Sequence, residues 1–461
     1  MNYEEFLKSK EIKFQSSGFE VNRESLNKNL FEYQKDIIQW SLRKGKSAAF
    51  TECGTGKTLM QLEWGNKVYE YTGKDILILA PLAVSKQTKN EGKKFGIDVN
   101  IASSQEEVKQ GINITNYEKL HKFDMSKFVG IILDESSCLK SFTSKTRNQL
   151  IEKCVNIQYK LACTATPAPN DFMELGNHAE FLGVMTRQEM LSMFFVHDGG
   201  NTSQWRLKGH AQNKFWEWMS TWAVVMRNPG DLGYDDGRFI LPKLKIREIT
   251  VKNEEEFDTL IPMVAQTLQE RRAARKSSLN NRVTKASELV NNSSENWLVW
   301  CNYNDESKAL KKVINDGIEV TGSDTDEHKT NSMLGFAAGN IKALISKSTI
   351  CGFGMNFQSC HNMIFCGLSD SYEQFYQAVR RCWRFGQDEE VNVYIITGAK
   401  EIAVINNIKR KHEEAQIMQN EMIKYTKDIM KQNIKSTYKE VTGYNPKIEM
   451  ILPEWIGGVA I

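Results

Sequence analysis

The stretch AAFTECGTGKTLM, residues 48–60, decides the fold. A short apolar run ends in a glycine-rich turn, and a helical pattern, TLMQLEWGNKVYEY over 58–71, follows at once. Strand, loop and helix in that order make a phosphate-binding loop credible. Within TECGTGKT (51–58), Gly54 and Gly56, with Thr55 between them, let backbone N–H groups close around phosphate oxygens where a Cβ would obstruct the turn. Lys57 supplies a mobile point charge for β- and γ-phosphates, and the Thr58 hydroxyl suits a Mg²⁺ ligand. The helix that starts there directs its positive end at the same oxygens. One departure is plain: the full G-x-x-x-x-G-K-[ST] pattern begins with Gly, and position 51 is Thr.

Working outward, DILILA (75–80), VGIILD (129–134) and YKLACTAT (159–166) are short apolar runs with helical patterns between them. This rhythm predicts a doubly wound α/β sheet of buried parallel strands. It stops near Gly183. From there to about Phe239 the chain carries Trp205, Trp216, Trp218 and Trp222 without a clear strand run and reads as a mostly helical insertion, its tryptophans favouring core packing over a role as a wedge or stacking surface. A helical stretch over about 254–290 follows, and the βα rhythm resumes with NWLVWCNY (296–303), IKALIS (341–346), MIFCG (363–367) and VNVYIIT (391–397). The expected organisation is a first lobe over 1–182, a helical insertion and linker over 183–290, and a second lobe with a helical tail over 291–461.

Composition narrows the class. The 461 residues carry 60 basic and 57 acidic side chains, a net charge of +3, so a nucleic-acid site would have to be local. No apolar run approaches the ~20 residues of a membrane span, and MNYEEFLKSKEIKF is not a signal peptide. Nine cysteines, an odd number scattered singly with no Cys-x-x-Cys, argue for reduced thiols in a cytoplasmic protein with no membrane association.

Four further stretches bear on chemistry. VGIILD runs into DESS (134–137), which places Asp134 and Glu135 at the ligand-binding edge of an open sheet. Asp134 suits a Mg²⁺ ligand, partly through water, and Glu135 a base that orients the attacking water. Thr164 and Thr166 in CTATP (163–167) end the next strand, where ordinary β-branched packing is the simpler reading. In QAVRRCWRFGQ (377–387), Arg381 and Arg384 are three apart, on one face of a helix. A planar, permanently charged guanidinium suits a phosphoryl transition state better than Lys. KSTICGFGMNFQ (347–358) offers Gly354 in a turn able to approach a phosphate.

Taken in order, FEYQ (31–34), TECGTGKT, APLAV (80–84), DESS, TATP, FMELGNHAEFLG (172–183), ICGFGMN and QAVRRCWRFGQ resemble a superfamily 2 helicase-type ATPase of the Swi/Snf branch, close to compact versions found in phages. The resemblance covers nearly the whole chain. It implies two tandem RecA-like lobes that clamp ATP and Mg²⁺, with Gln34 reading adenine, Lys57 and Thr58 holding phosphate and metal, Asp134 and Glu135 serving metal and water, and Arg381 and Arg384 reaching across as arginine fingers. It also implies DNA as partner, duplex, forked or branched and without sequence preference, with RNA as a further candidate, and replication or recombination proteins alongside in a bacterial or phage-infected cell. Phosphate contacts would come from 80–86, 115–117, Ser323 and 346–348, and the basic run Arg271, Arg272, Arg275, Lys276, Arg282 and Lys285 reads equally as a duplex contact or a solvated face. Departures are DESS for the commoner DEAH-like ending, Cys351 for Gly, and SYEQ (371–374) for Trp-Asn-Pro.

The expected activity is ATP-driven translocation on double-stranded DNA. Strand separation, and annealing in which ATP only regulates grip, stand as alternatives, while a small-molecule phosphotransferase would have no use for the second-lobe arginines.

Overall fold

The computed structural model describes residues 16–81, 84–169, 171–198, 201–252, 273, 275–351 and 356–435. Strands β1 (Lys46–Thr51), β2 (Ile76–Ala80), β3 (Val99–Ile101), β4 (Ile112–Asn116), β5 (Gly130–Asp134) and β6 (Tyr159–Cys163) form a parallel sheet in the order β3-β4-β2-β5-β6-β1. Each run quoted from the sequence lands on one of these strands. The residues of β2 are wholly buried because helices cover both faces of the sheet. The helix Lys57–Thr72 buries Leu62, Trp64 and Val68 completely, each worth roughly 1.5–3 kcal/mol relative to exposure. It stops at Gly73, whose left-handed backbone (φ 67°) returns an N–H to the Tyr69 carbonyl at 2.8 Å.

The region expected as a helical insertion is mixed. After the helix Arg187–Phe194, β7 (Phe195–Asp198) and β8 (Asn201–Leu207) make an antiparallel hairpin, and the helix Gln212–Ser220 leads to β9 (Ala223–Met226), which pairs parallel with β1 and completes a seven-stranded sheet. Trp216 and Trp222 are fully buried and Trp218 is 8% exposed. They share one apolar cluster with Ala48, Phe50 and Leu133 of the sheet. The tryptophans therefore extend the first lobe's core. AVVM (223–226) escaped notice as a strand because four apolar residues after a helix carry no periodicity of their own.

The second sheet is built from β10 (Leu244–Val251), β11 (Trp297–Cys301), β12 (Gly317–Val320), β13 (Ala343–Lys347), β14 (Asn362–Phe365) and β15 (Val391–Gly398), all parallel, in the order β10-β15-β14-β11-β13-β12. The linker region thus gives β9 to one sheet and β10 to the other. Of the helical stretch expected over 254–290, the helix Leu279–Asn291 is described and 253–272 lie outside the described residues.

The charged tail forms the helix Ile402–Lys435. Its first turns bury Val404, Ile405 and Ile408 in the second lobe, whereas Met422 and Ile423 join the first lobe's core. Tyr425 stacks on Trp216 at 6.0 Å between ring centroids. One helix therefore spans both lobes. Among the described residues no helix is long and apolar enough to cross a membrane.

Candidate nucleotide site between the lobes

The loop from β1 to the helix Lys57–Thr72 turns through two left-handed glycines, Gly54 at φ 89° and Gly56 at φ 79°. A Cβ on Gly56 would stand 2.2 Å from the Gln34 amide nitrogen, and one on Gly54 would stand 2.9 Å from the backbone nitrogen of Phe385 in the second lobe. Both positions need glycine for conformation and for room. The loop is braced from behind: the Tyr33 hydroxyl and Gln34 Nε2 both donate to the Thr55 carbonyl, at 2.7 and 2.8 Å, and Gln34 Oε1 accepts from the Phe31 amide at 2.9 Å. The Thr55 hydroxyl donates to the Glu52 carbonyl at 2.7 Å, and Lys57 Nζ donates to the Thr51 and Glu52 carbonyls at 2.7 and 2.9 Å.

Asp134 ends β5 where strand ends meet the loop. Its carboxylate accepts from Gln61 Nε2 at 2.8 Å and its backbone carbonyl from the Tyr117 hydroxyl at 2.8 Å. Burial raises the Asp134 carboxyl above its ordinary value, and the Gln61 hydrogen bond only partly opposes this. Glu135 follows in a left-handed conformation (φ 58°), rare for a residue with a Cβ, and accepts a hydrogen bond from the Thr164 hydroxyl. Thr164 is thus a partner of the acidic pair and not mere strand packing, while the buried Thr166 hydroxyl has no hydrogen-bond partner.

From the second lobe, the helix Tyr372–Val379 ends before the arginines. Arg381 and Arg384 therefore sit in a turn, not on a helix face as their spacing suggested. The turn is stitched to the loop before β14: the Phe357 amide donates to the Arg381 carbonyl at 2.9 Å, and Gln387 Nε2 donates to the Gln358 and Cys360 carbonyls at 2.9 and 3.1 Å. The Arg381 carbonyl, which a continued helix would have paired, thus finds its partner in that loop.

All of these parts meet. A cavity of about 120 Å³ is lined by Gly54, Gly56, Lys57, Thr58, Asp134 and Glu135 from one lobe and by Asn356, Arg381 and Arg384 from the other. Burial, with help from Arg381, draws the Arg384 guanidinium down to about 10, and burial likewise lowers Arg381. Arg384 Nε and Asn356 Oδ1 are buried without hydrogen-bond partners. Desolvated guanidinium groups facing a glycine loop and a helix N-terminus suit a polyanion. Thr58, Asp134 and Glu135 offer the hard oxygen donors that Mg²⁺ prefers. Gln34 stands behind the loop with both ends of its amide engaged, and Gly354 lies outside the described residues.

Family models match in the same order as the lobes. The SNF2-related domain matches residues 33–195, and the helicase conserved C-terminal domain matches residues 281–386. The chain belongs to the Swi/Snf-type superfamily 2 helicases. No curated protein sequence matches it. Among solved structures, the Sulfolobus solfataricus SWI2/SNF2 ATPase core in complex with dsDNA is similar at a TM-score of 0.42 and 16% identity, over 90% of this chain and 98% of that one.

In this Swi/Snf-type chain several residues reach the site whose part in it the sequence patterns did not show. Gln61 and Tyr117 hold Asp134, and Glu52 and Arg380 join the lobes beside the loop. Gln61 lies four residues past Lys57, one helical turn on, and that spacing was a usable signal. Tyr117, which the resemblance sets among the phosphate contacts of 115–117, instead turns its hydroxyl to the Asp134 carbonyl, and no local spacing signals this because sheet order brings the end of β4 there.

Other expectations change. Ser346 donates to the Val320 carbonyl at 2.8 Å and is fully buried, as is nearly all of Thr115, so neither hydroxyl faces a nucleic-acid track. In the basic run, Arg275 and Arg282 are neither solvated nor free for DNA. Arg282 is 1% exposed and pairs with Glu306 at 2.8 Å, and Arg275 pairs with Glu401 at 3.1 Å. Arg271 and Arg272 lie outside the described residues.

Proposed function

We propose that this Swi/Snf-type motor is a DNA-dependent ATPase that translocates on double-stranded DNA and remodels forked or branched replication or recombination intermediates. The observation that carries the reading is the single cavity in which Lys57, Thr58, Asp134 and Glu135 meet Arg381 and Arg384 from the opposite lobe.

In this reading ATP is the substrate, its phosphates lying against the amides of residues 54–58 and the N-terminus of the helix Lys57–Thr72. Lys57 exchanges the Thr51 and Glu52 carbonyls for phosphate oxygens, and Gln34, whose amide braces the Thr55 carbonyl and the Phe31 amide, would exchange one of these partners to read adenine. Mg²⁺, which Thr58 and Asp134 would hold, supplies charge neutralisation at the β- and γ-phosphates. Glu135 takes the proton of the attacking water, and Thr164 keeps its carboxylate aimed. Arg381 and Arg384 stabilise the negative charge of the transferring phosphoryl group, which ties hydrolysis to the lobes being together. Closure and reopening alternate the grip of the two lobes on backbone phosphates. The small net charge and exposed side chains such as Lys86 fit contacts that are few and independent of sequence.

The deciding experiment measures ATPase rate with single-stranded, duplex, forked and four-way DNA and with RNA, for the wild type, K57A and R384A. Duplex-stimulated turnover that both substitutions abolish is expected, together with triplex displacement. Lack of stimulation by any nucleic acid overturns the motor reading, and unwinding of a fork without triplex displacement moves it to strand separation.

A further inference from the structure

Arg380 differs from its two neighbours. Arg381 and Arg384 line the cavity, whereas Arg380 turns back toward the first lobe and reaches the phosphate loop itself. Its Nη2 lies 3.1 Å from the Glu52 carboxylate and donates to the Cys53 carbonyl at 2.9 Å. The same carboxylate accepts from the Tyr376 hydroxyl, from the Cys53 amide at 2.7 Å and from Gln419 Nε2 on the helix Ile402–Lys435 at 3.4 Å. One acidic side chain of the loop therefore gathers donors from two second-lobe elements and from the helix that spans both lobes.

The setting is dry and tight. The Arg380 side chain is 4% exposed and that of Glu52 15%. The guanidinium lies near two aromatic rings, 4.9 Å from the Trp383 centroid and 5.9 Å from that of Tyr376. Burial alone would raise the Glu52 carboxyl, yet Arg380, the Tyr376 hydroxyl, the Cys53 amide and Lys57 hold it below the ordinary carboxylate range. One nitrogen that pairs with a carboxylate and donates to the neighbouring carbonyl at once fixes position as well as distance.

We propose that Arg380 is a positioning residue for ATP hydrolysis: by gripping Glu52 and the Cys53 carbonyl it sets the register between the phosphate loop and the turn that carries Arg381 and Arg384. The inference rests on the ATPase reading above and deepens it. Arg380 is adjacent to Arg381 in the chain, so its grip on residues 52–53 fixes where the next four residues stand over the cavity. Because Lys57 Nζ donates to the Glu52 carbonyl, the latch and the phosphate lysine also share one backbone unit. The effect belongs to the closed, reacting arrangement, and it falls on kcat more than on nucleotide binding.

The test compares the full chain with R380Q, E52Q, R380Q/E52Q, R380K and Y376F. Steady-state ATPase is measured at saturating duplex DNA, and affinity with a fluorescent ATP analogue in Mg²⁺ buffer. R380Q and E52Q are each expected to lower kcat about tenfold or more while changing KM and analogue affinity by less than about threefold. The double variant is expected to be no slower than the slower single one, because both remove the same contact. R380K should recover part of the loss, since Lys keeps a charge for Glu52 but lacks the planar guanidinium that lies against the Trp383 and Tyr376 rings. Losses that multiply in the double variant, or a rise in KM at unchanged kcat, overturn the proposal. If R380Q or E52Q fails to fold, Y376F carries the test, because it deletes one hydroxyl donor to Glu52 and keeps the ring; wild-type kcat in Y376F then overturns the proposal. An inactive wild type would overturn the ATPase reading itself, whereas an active wild type with unimpaired R380Q and E52Q removes only the latch.

Discussion

The Thr164 hydroxyl donates a hydrogen bond to the Glu135 carboxylate, tying the end of β6 to the residue that follows β5. Glu135 is held in a left-handed backbone, so its side chain direction depends on such a partner. T164V removes the donor and keeps the branched shape. The expected result is a kcat lowered by roughly tenfold with KM for ATP little changed, and T164S close to wild type. Equal kcat values in T164V and the wild type would separate Thr164 from the chemistry.

Gly54 meets the second lobe closely, with φ 89° and a would-be Cβ 2.9 Å from the Phe385 nitrogen. G54A adds a backbone cost of about 1–2 kcal/mol and a contact that only a shift of one lobe relieves. Binding of a fluorescent ATP analogue should fall modestly, while DNA-stimulated kcat should fall by an order of magnitude or more, since the arginines no longer seat. A G54A protein with normal turnover would show that the lobes need not approach this closely.

His178 is buried against Phe50, 5.1 Å between ring centroids, with Nε2 3.1 Å from the Ser136 hydroxyl. Burial pushes it from its ordinary 6.5 to about 4. A histidine with a lowered value in the folded state leaves stability intact above its unfolded value and removes it as pH falls, because the unfolded chain takes up the proton first. Between about pH 7.5 and about pH 5 the loss attributable to this group is on the order of 2 kcal/mol. Urea unfolding at the two pH values should show that loss in the wild type and a smaller one in H178Q. The same slope in both proteins would assign the acid sensitivity elsewhere.

Most of this architecture could be read in the sequence because parallel strands buried on both faces are continuous apolar runs, and ILILA, GIILD and WLVWC have few other uses. The phosphate loop and acidic pair were legible for a different reason: their chemistry dictates residue types at fixed local spacing. What stayed hidden depends on long-range placement. β10 reads LKIREITV, half polar because it is the outermost strand of its sheet, and nothing in that run says that it pairs with β15, far along the chain. The arginine turn kept its site residues but lost its helix, because Gln387 and Phe357 pull the backbone onto a loop that sequence spacing does not place.

The fate of the basic run shows how a charge pattern misleads when its partners are distant. Arg282 donates to Glu306 at 2.8 Å, to the Ser278 hydroxyl at 2.9 Å and to the Arg275 carbonyl at 2.9 Å, all within the second lobe's interior. R282A leaves Glu306 buried without its cation, a change expected to destabilise the protein by about 3–5 kcal/mol in urea unfolding. A phosphate-contacting arginine would behave differently: its loss would reduce the slope of log affinity against log salt by about one and leave stability nearly untouched. For R282A, measured at low temperature where the variant is folded, the salt slope for duplex DNA should equal that of the wild type. A shallower slope with unchanged unfolding would return Arg282 to the nucleic-acid surface and break the buried network described here.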